Sequence, residues 1–177
     1  MLTYFPPDAS RIADLTAYRK EVMNAPGNPE RFDGSAGLGN FGSVEEWLER
    51  VSLLTSEKAE KYGWYRTLIF LAYDGPTLCG IVNLRLSEDE TVDRLAGHIG
   101  YHVRPSLRRR GYAKEMLRHA AMLAREHGIP EPTVCTAADN LPSQKTALSA
   151  GFSPDGEDVL PNGEKILRFR LINTAIL

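Results

Sequence analysis

The sequence predicts one α/β domain spanning residues 1–177, with a central mixed sheet and helices on both of its faces. The length fits a single hydrophobic core, and 42% hydrophobic with 25% charged residues is usual for a globular protein. Apolar residues recur with helical spacing in some segments and with strand spacing in others. The segments run helix, helix, three strands, helix, strand, helix, two strands. The βαβ unit in the middle is the expected ligand-binding region.

The N-terminal third contains two predicted helices separated by a long loop. The capping and apolar positions of the first helix are Asp8 or Ser10, then Ile12, Leu15, Tyr18 and Val22. This helix ends before Pro26. Residues 24–42 are rich in glycine and proline, which predicts an irregular loop. A capping box at residues 43–46 begins the second helix, which we expect to run to about Tyr62.

Three strands and an acidic loop follow the second helix. Thr67–Tyr73 and Leu78–Leu86 are rich in β-branched and aromatic residues and flank an Asp74-Gly75 turn, which predicts a hairpin. An acidic loop then carries Glu88, Asp89, Glu90 and Asp93. Gly97–Val103 is the third predicted strand.

The C-terminal half alternates helices and strands. The predicted segments are a helix from about Gly111 to His127, a strand at Thr133–Ala137, a helix from Pro142 to Gly151, a strand from Phe152 onward and a strand at Lys165–Ile172. Gly128 and Pro130 end the first of these helices. No internal repeat is present, which agrees with a single domain.

Charge and composition exclude several classes of function. The net charge of −2 and a pI near 6.1 give the chain no general attraction for nucleic acid or anionic membranes. The first seven residues lack the features of a signal peptide, and the apolar run Leu68–Tyr73 is too short to span a bilayer. We therefore expect a cytoplasmic protein with no nucleic-acid partner and no membrane partner.

Neither the cysteines nor the histidines predict a metal site. Cys79 and Cys135 lie in predicted strands without C-x-x-C spacing, so we expect them to be small buried side chains. His98 and His102 lie on one strand, roughly 13 Å apart at about 3.3 Å per residue, which is too far for them to ligate one ion together.

Positive charge is concentrated at the start of the helix that begins near Gly111. Between residues 104 and 118 there is one acid, Glu115, and the cations are Arg104, Arg108, Arg109, Arg110, Lys114 and Arg118. Unpaired N–H groups at a helix start bind phosphate, and nearby arginines add charge-assisted hydrogen bonds. A solvated basic helix start with a glycine hinge is the alternative interpretation. The cations lack interleaved stacking aromatics, which disfavours nucleic-acid binding.

Two ordered motifs resemble those of a known family. Arg108-Arg109-Arg110-Gly111-Tyr112-Ala113 resembles the Q/R-x-x-G-x-G/A pyrophosphate motif of the GNAT acetyltransferase superfamily. The segment from Asn140 to Phe152 resembles the family's N-x-x-A/S…G-F segment at matching spacing. Residues 97–118 are also similar to an uncharacterised bacterial branch of predicted acetyltransferases. The resemblance covers about residues 65–153.

The resemblance implies a mostly antiparallel sheet that splays into a V-shaped cleft for acetyl-CoA. The pantetheine arm is expected along Tyr101, His102 and Val103, and the Val103 N–H is expected to face the thioester carbonyl. The residues expected to hold the pyrophosphate are Arg108, Arg109, Arg110, Gly111, Tyr112, Ala113 and Lys114. Asn140 and Ser143 are expected to contact the cofactor, with a helix-capping role as the alternative for Asn140.

The groups that move protons depart from the family pattern. The position of the family's glutamate holds Gly97, and the position of its tyrosine holds Ala147. His98 is the first candidate for the general base, with a packed histidine as the alternative and the acidic loop acting through water as the next candidate. The aromatic residues that flank the acceptor or pack in the core are Trp47, Tyr62 and Trp64.

The resemblance therefore implies an N-acetyltransferase that uses acetyl-CoA and a primary amine in a ternary complex. The alternative is a non-catalytic acyl-CoA-binding or sensing domain, which Ala147 and the missing carboxylate favour. The acceptor, a small molecule or a peptide amine, is not identified, because loops 24–42 and 87–96 carry no motif. The protein is expected to be a monomer or a homodimer.

Overall fold

The computed structural model of the chain describes residues 1–26, 32 and 34–172. Its helices are α1 (Ile12–Met23), α2 (Val44–Leu54), α3 (Tyr112–Glu126) and α4 (Leu141–Ala150). Its strands are β1 (Thr3–Phe5), β2 (Thr67–Asp74), β3 (Thr77–Arg85), β4 (Ile99–Val103), β5 (Thr133–Ala137), β6 (Ser153–Val159) and β7 (Lys165–Arg170). The predicted α/β architecture is confirmed.

The strands form two antiparallel sheets that meet at a cleft. One sheet has the order β1-β2-β3-β4 and the other has the order β5-β7-β6. β4 and β5 contact one another, but no ladder joins them in the described part of the chain. The expected mixed sheet is thus two antiparallel sheets, and the predicted V-shaped cleft opens where β4 and β5 separate.

Apolar side chains cover both faces of the first sheet, because side chains alternate along its strands. On one face, Val82 and Leu84 of β3 pack with Met116 and Leu117 of α3. On the other face, the buried cluster is Leu15, Tyr18, Val22, Trp47, Val51, Leu71 and Ile81, with residues from α1, α2, β2 and β3. Helices therefore lie on both faces, as predicted.

The second helix is shorter than predicted. It ends at Leu54, and a separate 3₁₀ helix follows at Ala59–Tyr62. The Thr55 hydroxyl donates to Val51 O at 3.0 Å, and the Ser56 hydroxyl donates to Leu53 O at 2.8 Å. These side chains satisfy the last carbonyls of the helix and so favour its end.

Three other segments differ from the prediction. β1 was missed, because three residues are too few to show a period. The loop after β3 contains a π-helical turn, Val92–Ala96, and β4 begins at Ile99 and not at Gly97. The loop at 24–42 contains a 3₁₀ helix at Leu38–Asn40, while its residues 27–31 and 33 lie outside the described residues.

Candidate functional site

A cavity of about 1070 Å³ lies between β4 and β5. Both strands, the basic segment before α3 and the first turns of α3 and α4 line it. The predicted cofactor-binding residues in its lining are Tyr101, His102, Val103, Arg108, Arg109, Gly111, Tyr112, Ala113, Lys114, Asn140 and Ser143. Arg110 and His98 were also predicted to belong to the site, but they are not among the described residues that line this cavity.

Two backbone hydrogen bonds fix the direction in which β4 presents its peptide groups. They run from Arg85 N to His98 O and from Arg104 N to Cys79 O, each at 2.8 Å. Bonded and non-bonded pairs alternate along an antiparallel ladder. Tyr101 and Val103 therefore direct their N–H and C=O groups away from β3 and into the cleft. The backbone of His102 faces β3, so only its side chain reaches the cavity.

The start of α3 presents unpaired N–H groups to the same cavity. Gly111 precedes the helix with φ of 87°, a left-handed conformation that favours glycine. Glu115 N donates to Gly111 O at 3.1 Å, so it is the first N–H with a partner one turn back. The N–H groups of residues 112–114 have no such partner, and no side chain caps this end of the helix. This arrangement is suited to binding phosphate.

The six cations near α3 differ in their surroundings, and only some of them line the cavity. Arg104 Nε lies 2.5 Å from Glu21 Oε2, and this carboxylate also accepts from Ser106 N at 2.7 Å. Arg104 therefore fixes the loop before α3 and is neutralised by its partner. Of the remaining cations, Arg108, Arg109 and Lys114 line the cavity. Lys145 of α4 also lines it and was missed, because it lies outside the basic cluster of the sequence.

Tyr101, Ser143 and Asn140 connect β4 to the start of α4. The Tyr101 hydroxyl lies 3.0 Å from Ser143 Oγ, and burial raises the pKa of Tyr101. Asn140 Oδ1 accepts from Ser143 N at 3.2 Å, so Asn140 caps α4, as its alternative interpretation proposed. Asn140 also lies in the cavity wall, so its side chain can cap α4 and contact the cofactor.

His98 is buried and held by protein groups on both sides of its ring. Thr133 N donates to Nδ1 at 3.1 Å, and Nε2 lies 3.1 Å from Ser87 O. These contacts fit a neutral ring with its proton on Nε2. Burial also lowers the pKa of His98. The ring thus has no free nitrogen with which to take a proton from a group in the cavity, and the packed-histidine interpretation describes it.

His102 is a neutral cavity residue. Its Nδ1 is hydrogen-bonded to the Tyr18 hydroxyl, and its Nε2 lies 3.5 Å from an Arg108 nitrogen. Burial, with Arg108 beside the ring, lowers the pKa of His102 to about 4. Because an imidazole with that pKa is uncharged and weakly basic at neutral pH, His102 is a poor proton acceptor.

The two family positions that lost their functional side chains have structural explanations. Gly97 lies against β5, and a Cβ there would lie 2.6 Å from Cys135 N, so no glutamate fits without a backbone shift. Ala147 is fully buried in the core beneath α3 and places no hydroxyl in the cavity.

The acidic loop and the candidate aromatic residues lie away from the cavity lining. Asp93 is 2.7 Å from Arg170, and Glu90 is 2.8 Å from Arg94, so these carboxylates already have cations as partners. Trp47 packs in the core, while Tyr62 and Trp64 stack on each other with ring centroids 4.8 Å apart. Among the described lining residues, Glu164 before β7 supplies the one carboxylate. It was missed because no motif surrounds it.

None of the described helices has both the length and the hydropathy needed to cross a bilayer. The described residues also contain no group of three or more His, Cys, Asp or Glu side chains arranged to hold a metal ion.

Comparison with known proteins gives one family and a set of similar structures. The family model described as an acetyltransferase (GNAT) domain matches residues 4–153. A search of curated proteins found no match.

Three solved structures illustrate the likeness in fold. The ribosomal-protein-S5-alanine acetyltransferase from Vibrio fischeri is 18% identical, has a TM-score of 0.70, and the match covers 99% of this chain and 95% of that one. RimL, a ribosomal L7/L12 alpha-N-protein acetyltransferase in complex with coenzyme A, is 17% identical with a TM-score of 0.68, covering 98% and 95%. A variant of the spermidine N-acetyltransferase SpeG from Vibrio cholerae is 14% identical with a TM-score of 0.65, covering 99% and 97%.

Proposed function

Because the chain belongs to the GNAT acetyltransferase family, we propose that it transfers the acetyl group of acetyl-CoA to a primary amine in a ternary complex. One observation carries this proposal. The free edge of β4 and the unpaired N–H groups of α3 open into a single cavity of about 1070 Å³. A cosubstrate with phosphates at one end and an amide-containing arm at the other fits both features.

The cosubstrate is acetyl-CoA, and this chain supplies two kinds of contact to it. Residues 112–114 offer backbone N–H groups, and Arg108, Arg109 and Lys114 offer positive charge, to the phosphates. Tyr101 and Val103 offer N–H and C=O groups to the pantetheine arm in the manner of an added strand. The structure of RimL with coenzyme A, which has the same fold, supports this cosubstrate.

The Val103 N–H is placed to stabilise the acyl-transfer step. The amine nitrogen bonds to the thioester carbonyl carbon, charge develops on the carbonyl oxygen, and the carbon–sulfur bond then breaks. A backbone donor at that oxygen lowers the barrier, because its interaction strengthens as the charge develops. Two phenols are among the described lining residues, and the Tyr112 hydroxyl already donates to Asp74 Oδ2 at 2.6 Å. We therefore take Tyr101 as the group that protonates the departing thiolate, since Ala147 has no hydroxyl.

Glu164 replaces His98 as our candidate for the proton acceptor. Glu164 contributes a carboxylate to the described lining, and His98 does not line the cavity. The amine can also lose its proton to solvent before it binds, and the overall reaction is then the same.

The names of the similar structures support an acceptor that is a peptide or a small amine. Two are named for ribosomal proteins and one for spermidine. The alternative of a non-catalytic acyl-CoA-binding domain is not favoured, since the matched family model describes an acetyltransferase domain.

The experiment that tests the proposal combines acetyl-CoA with a panel of amines and follows release of the free thiol. We expect amine-dependent thiol release that ceases when acetyl-CoA is replaced by coenzyme A. Mass spectrometry should find the acceptor heavier by one acetyl group. Tight binding of acetyl-CoA without turnover of any α-amine, polyamine or lysine side chain would refute catalysis and leave a binding domain.

A further inference from the structure

Arg85 is a cation in the cavity wall that the proposed chemistry does not use. It is the last residue of β3 and lies on the sheet face that packs against α1 and α2. Its Nη1 donates to Gly97 O at 2.8 Å and to Ala96 O at 3.4 Å. A guanidinium carries donors on three nitrogens, and both of these bonds use Nη1 alone. Burial lowers the pKa of the Arg85 guanidinium.

Three other arginines on this side of the molecule each have a carboxylate partner. The pairs are Arg94 with Asp158 at 2.5 Å, Arg168 with Asp155 at 2.7 Å, and Arg170 with Asp93 at 2.7 Å. Arg85 has no carboxylate within 4.0 Å in the described part of the chain. Removing a guanidinium from water is costly unless an anion replaces the lost hydration. Arg85 is half-buried and lines the cavity, so an anion that enters the cavity can reach its guanidinium.

Cys135 and His98 lie beside Arg85 and are neutral. The carboxylates near these two side chains, Asp93 and Asp158, are paired with other arginines. Burial raises the pKa of Cys135 to about 12, so this thiol stays protonated. His98 is neutral, because burial lowers its pKa. Leu95 and Ala96, which precede Gly97 in the chain, also line the cavity.

Arg85 lies at the opposite end of β4 from the phosphate-binding segment. It pairs with His98, which precedes Val103 by five residues, or roughly 16 Å at about 3.3 Å per residue. The segment before α3 follows Val103 in the chain. The segment that is expected to bind the phosphates and the Arg85 backbone therefore have the length of β4 between them, so Arg85 lines the end of the cavity away from the phosphates.

We propose that Arg85 binds an anionic group of the acceptor, so that the substrates are amines that carry a carboxylate or a phosphate some distance from the nitrogen. This inference rests on the proposed function, because it names the class of substrate for the same cavity. The Arg85 guanidinium matches either anion with paired N–H donors. It would hold the anion while the amine reaches the acetyl group near Val103.

The test compares matched acceptors at saturating acetyl-CoA. One set contains glycyl peptides of two to four residues and their C-terminal amides, which differ only in the carboxylate. A second set contains aminoalkyl phosphates and the corresponding amino alcohols. We expect the wild-type kcat/KM to favour the anionic member of at least one set by tenfold or more. A preference in the peptide set would indicate a carboxylate as the bound anion, and a preference in the aminoalkyl set would indicate a phosphate.

Two variants assign the preference to Arg85. Arg85→Gln keeps a donor for Gly97 O and removes the charge, so the preference should fall to about the level of the neutral acceptors. Arg85→Lys should retain part of it. The KM for acetyl-CoA and the melting temperature should stay near wild type, which separates this role from a purely structural one. A wild-type enzyme without preference, or an undiminished preference in Arg85→Gln, would overturn the inference.

A binding measurement separates failure of this inference from failure of the proposed function. Calorimetry can follow binding of the N-acetylated peptides and their amides to the protein–coenzyme A complex, which requires no turnover. Arg85-dependent binding of the anionic forms without any acetyl transfer would support the anion site and refute catalysis. Turnover of amines with equal binding of both forms would support catalysis and refute the anion site.

Discussion

Arg108 and Arg110 were both predicted from the sequence to hold the pyrophosphate, but they have different positions relative to the cavity. Arg108 lines the cavity, and Arg110 does not. We expect Arg108→Ala to weaken coenzyme A binding by about 1.5–3 kcal/mol, the worth of a hydrogen bond to a charged group. Arg110→Ala is the matched control and should have a much smaller effect in calorimetry. Equal losses in both variants would contradict the placement of these residues.

A second expectation at the residue scale concerns His98. Its ring accepts a hydrogen bond from Thr133 N inside the core, so replacing it leaves a buried donor without a partner. We expect His98→Ala to lower the free energy of unfolding by about 1–3 kcal/mol. The kcat of the folded variant should change little. A loss of roughly 10²-fold or more in kcat, with stability intact, would instead restore His98 as the base.

Most of the residues that the sequence predicted to hold the cosubstrate line the cavity, whereas two charged residues of its lining, Arg85 and Glu164, were missed. Val103 and Gly111 belong to motifs whose spacing fixes their place in the fold. Arg85 and Glu164 lie at the end of a strand and in a turn, where only the tertiary structure brings them into one cavity. For His98, sequence pattern alone does not reveal that Thr133 and Ser87 occupy both ring nitrogens.

At the scale of the element, the start of α3 offers a test that does not depend on a side-chain contact. Gly111 has φ of 87°, and a Cβ added there meets nothing within 4 Å. Gly63, with φ of 70° and equally open surroundings, is a matched control away from the cavity. Both Gly→Asp variants should lose about 1 kcal/mol of stability from backbone strain. Only Gly111→Asp should also abolish coenzyme A binding, because its carboxylate repels the phosphates.

The free edge of β4 gives a second test at this scale. Val103→Pro removes an N–H that points away from β3, so the β3–β4 ladder should keep its bonds. We expect kcat to fall by about 10²–10³-fold, as for loss of a donor to a developing oxyanion. His102→Pro is the control, because its N–H faces β3 and its loss should lower the melting temperature. Unchanged kcat in folded Val103→Pro would remove this donor from the mechanism.

Elements with a long, regular pattern were predicted closely, and short or interrupted ones were not. The hairpin of β2 and β3 and the helix α3 follow from β-branched runs and from a helical apolar stripe. The end of α2 depends on hydroxyls of Thr55 and Ser56, which compete locally with the helix. The separation of β4 from β5 is a property of tertiary packing and was inferred from family resemblance alone.

At the scale of the whole molecule, buried histidines predict how stability depends on pH. His98 and His102 both have pKa values lowered by burial from 6.5, and that of His102 falls to about 4. Between these values the unfolded chain binds protons that the folded protein does not. Stability should therefore be full above pH 6.5 and fall as the pH decreases toward about 4, with His102 contributing about 3 kcal/mol.

Urea unfolding across this pH range would measure the effect. Carboxylates with lowered pKa values add to the loss at the acid end of this range: Glu21, lowered from 4.5, from about pH 5 downward, and Asp155 and Asp158, lowered from 3.8, near pH 4. The histidine contribution is therefore measured by comparison with a His102 variant. His102→Gln should flatten the slope relative to wild type. A slope that is the same in both proteins would show that His102 is not the group that titrates.

The gap between β4 and β5 suggests that the stability of the protein, and so its lifetime, depends on whether a ligand is bound there. Each strand has one edge without a partner strand, so amides of β5 should exchange with solvent faster than those of β3, which is paired on both sides. A pantetheine arm bound as proposed would close the edge of β4, and a ligand at 100 times its Kd adds about 2.7 kcal/mol of stability. Proteases that cleave transiently opened chains would then remove the empty protein first. Its abundance would then follow the supply of acetyl-CoA.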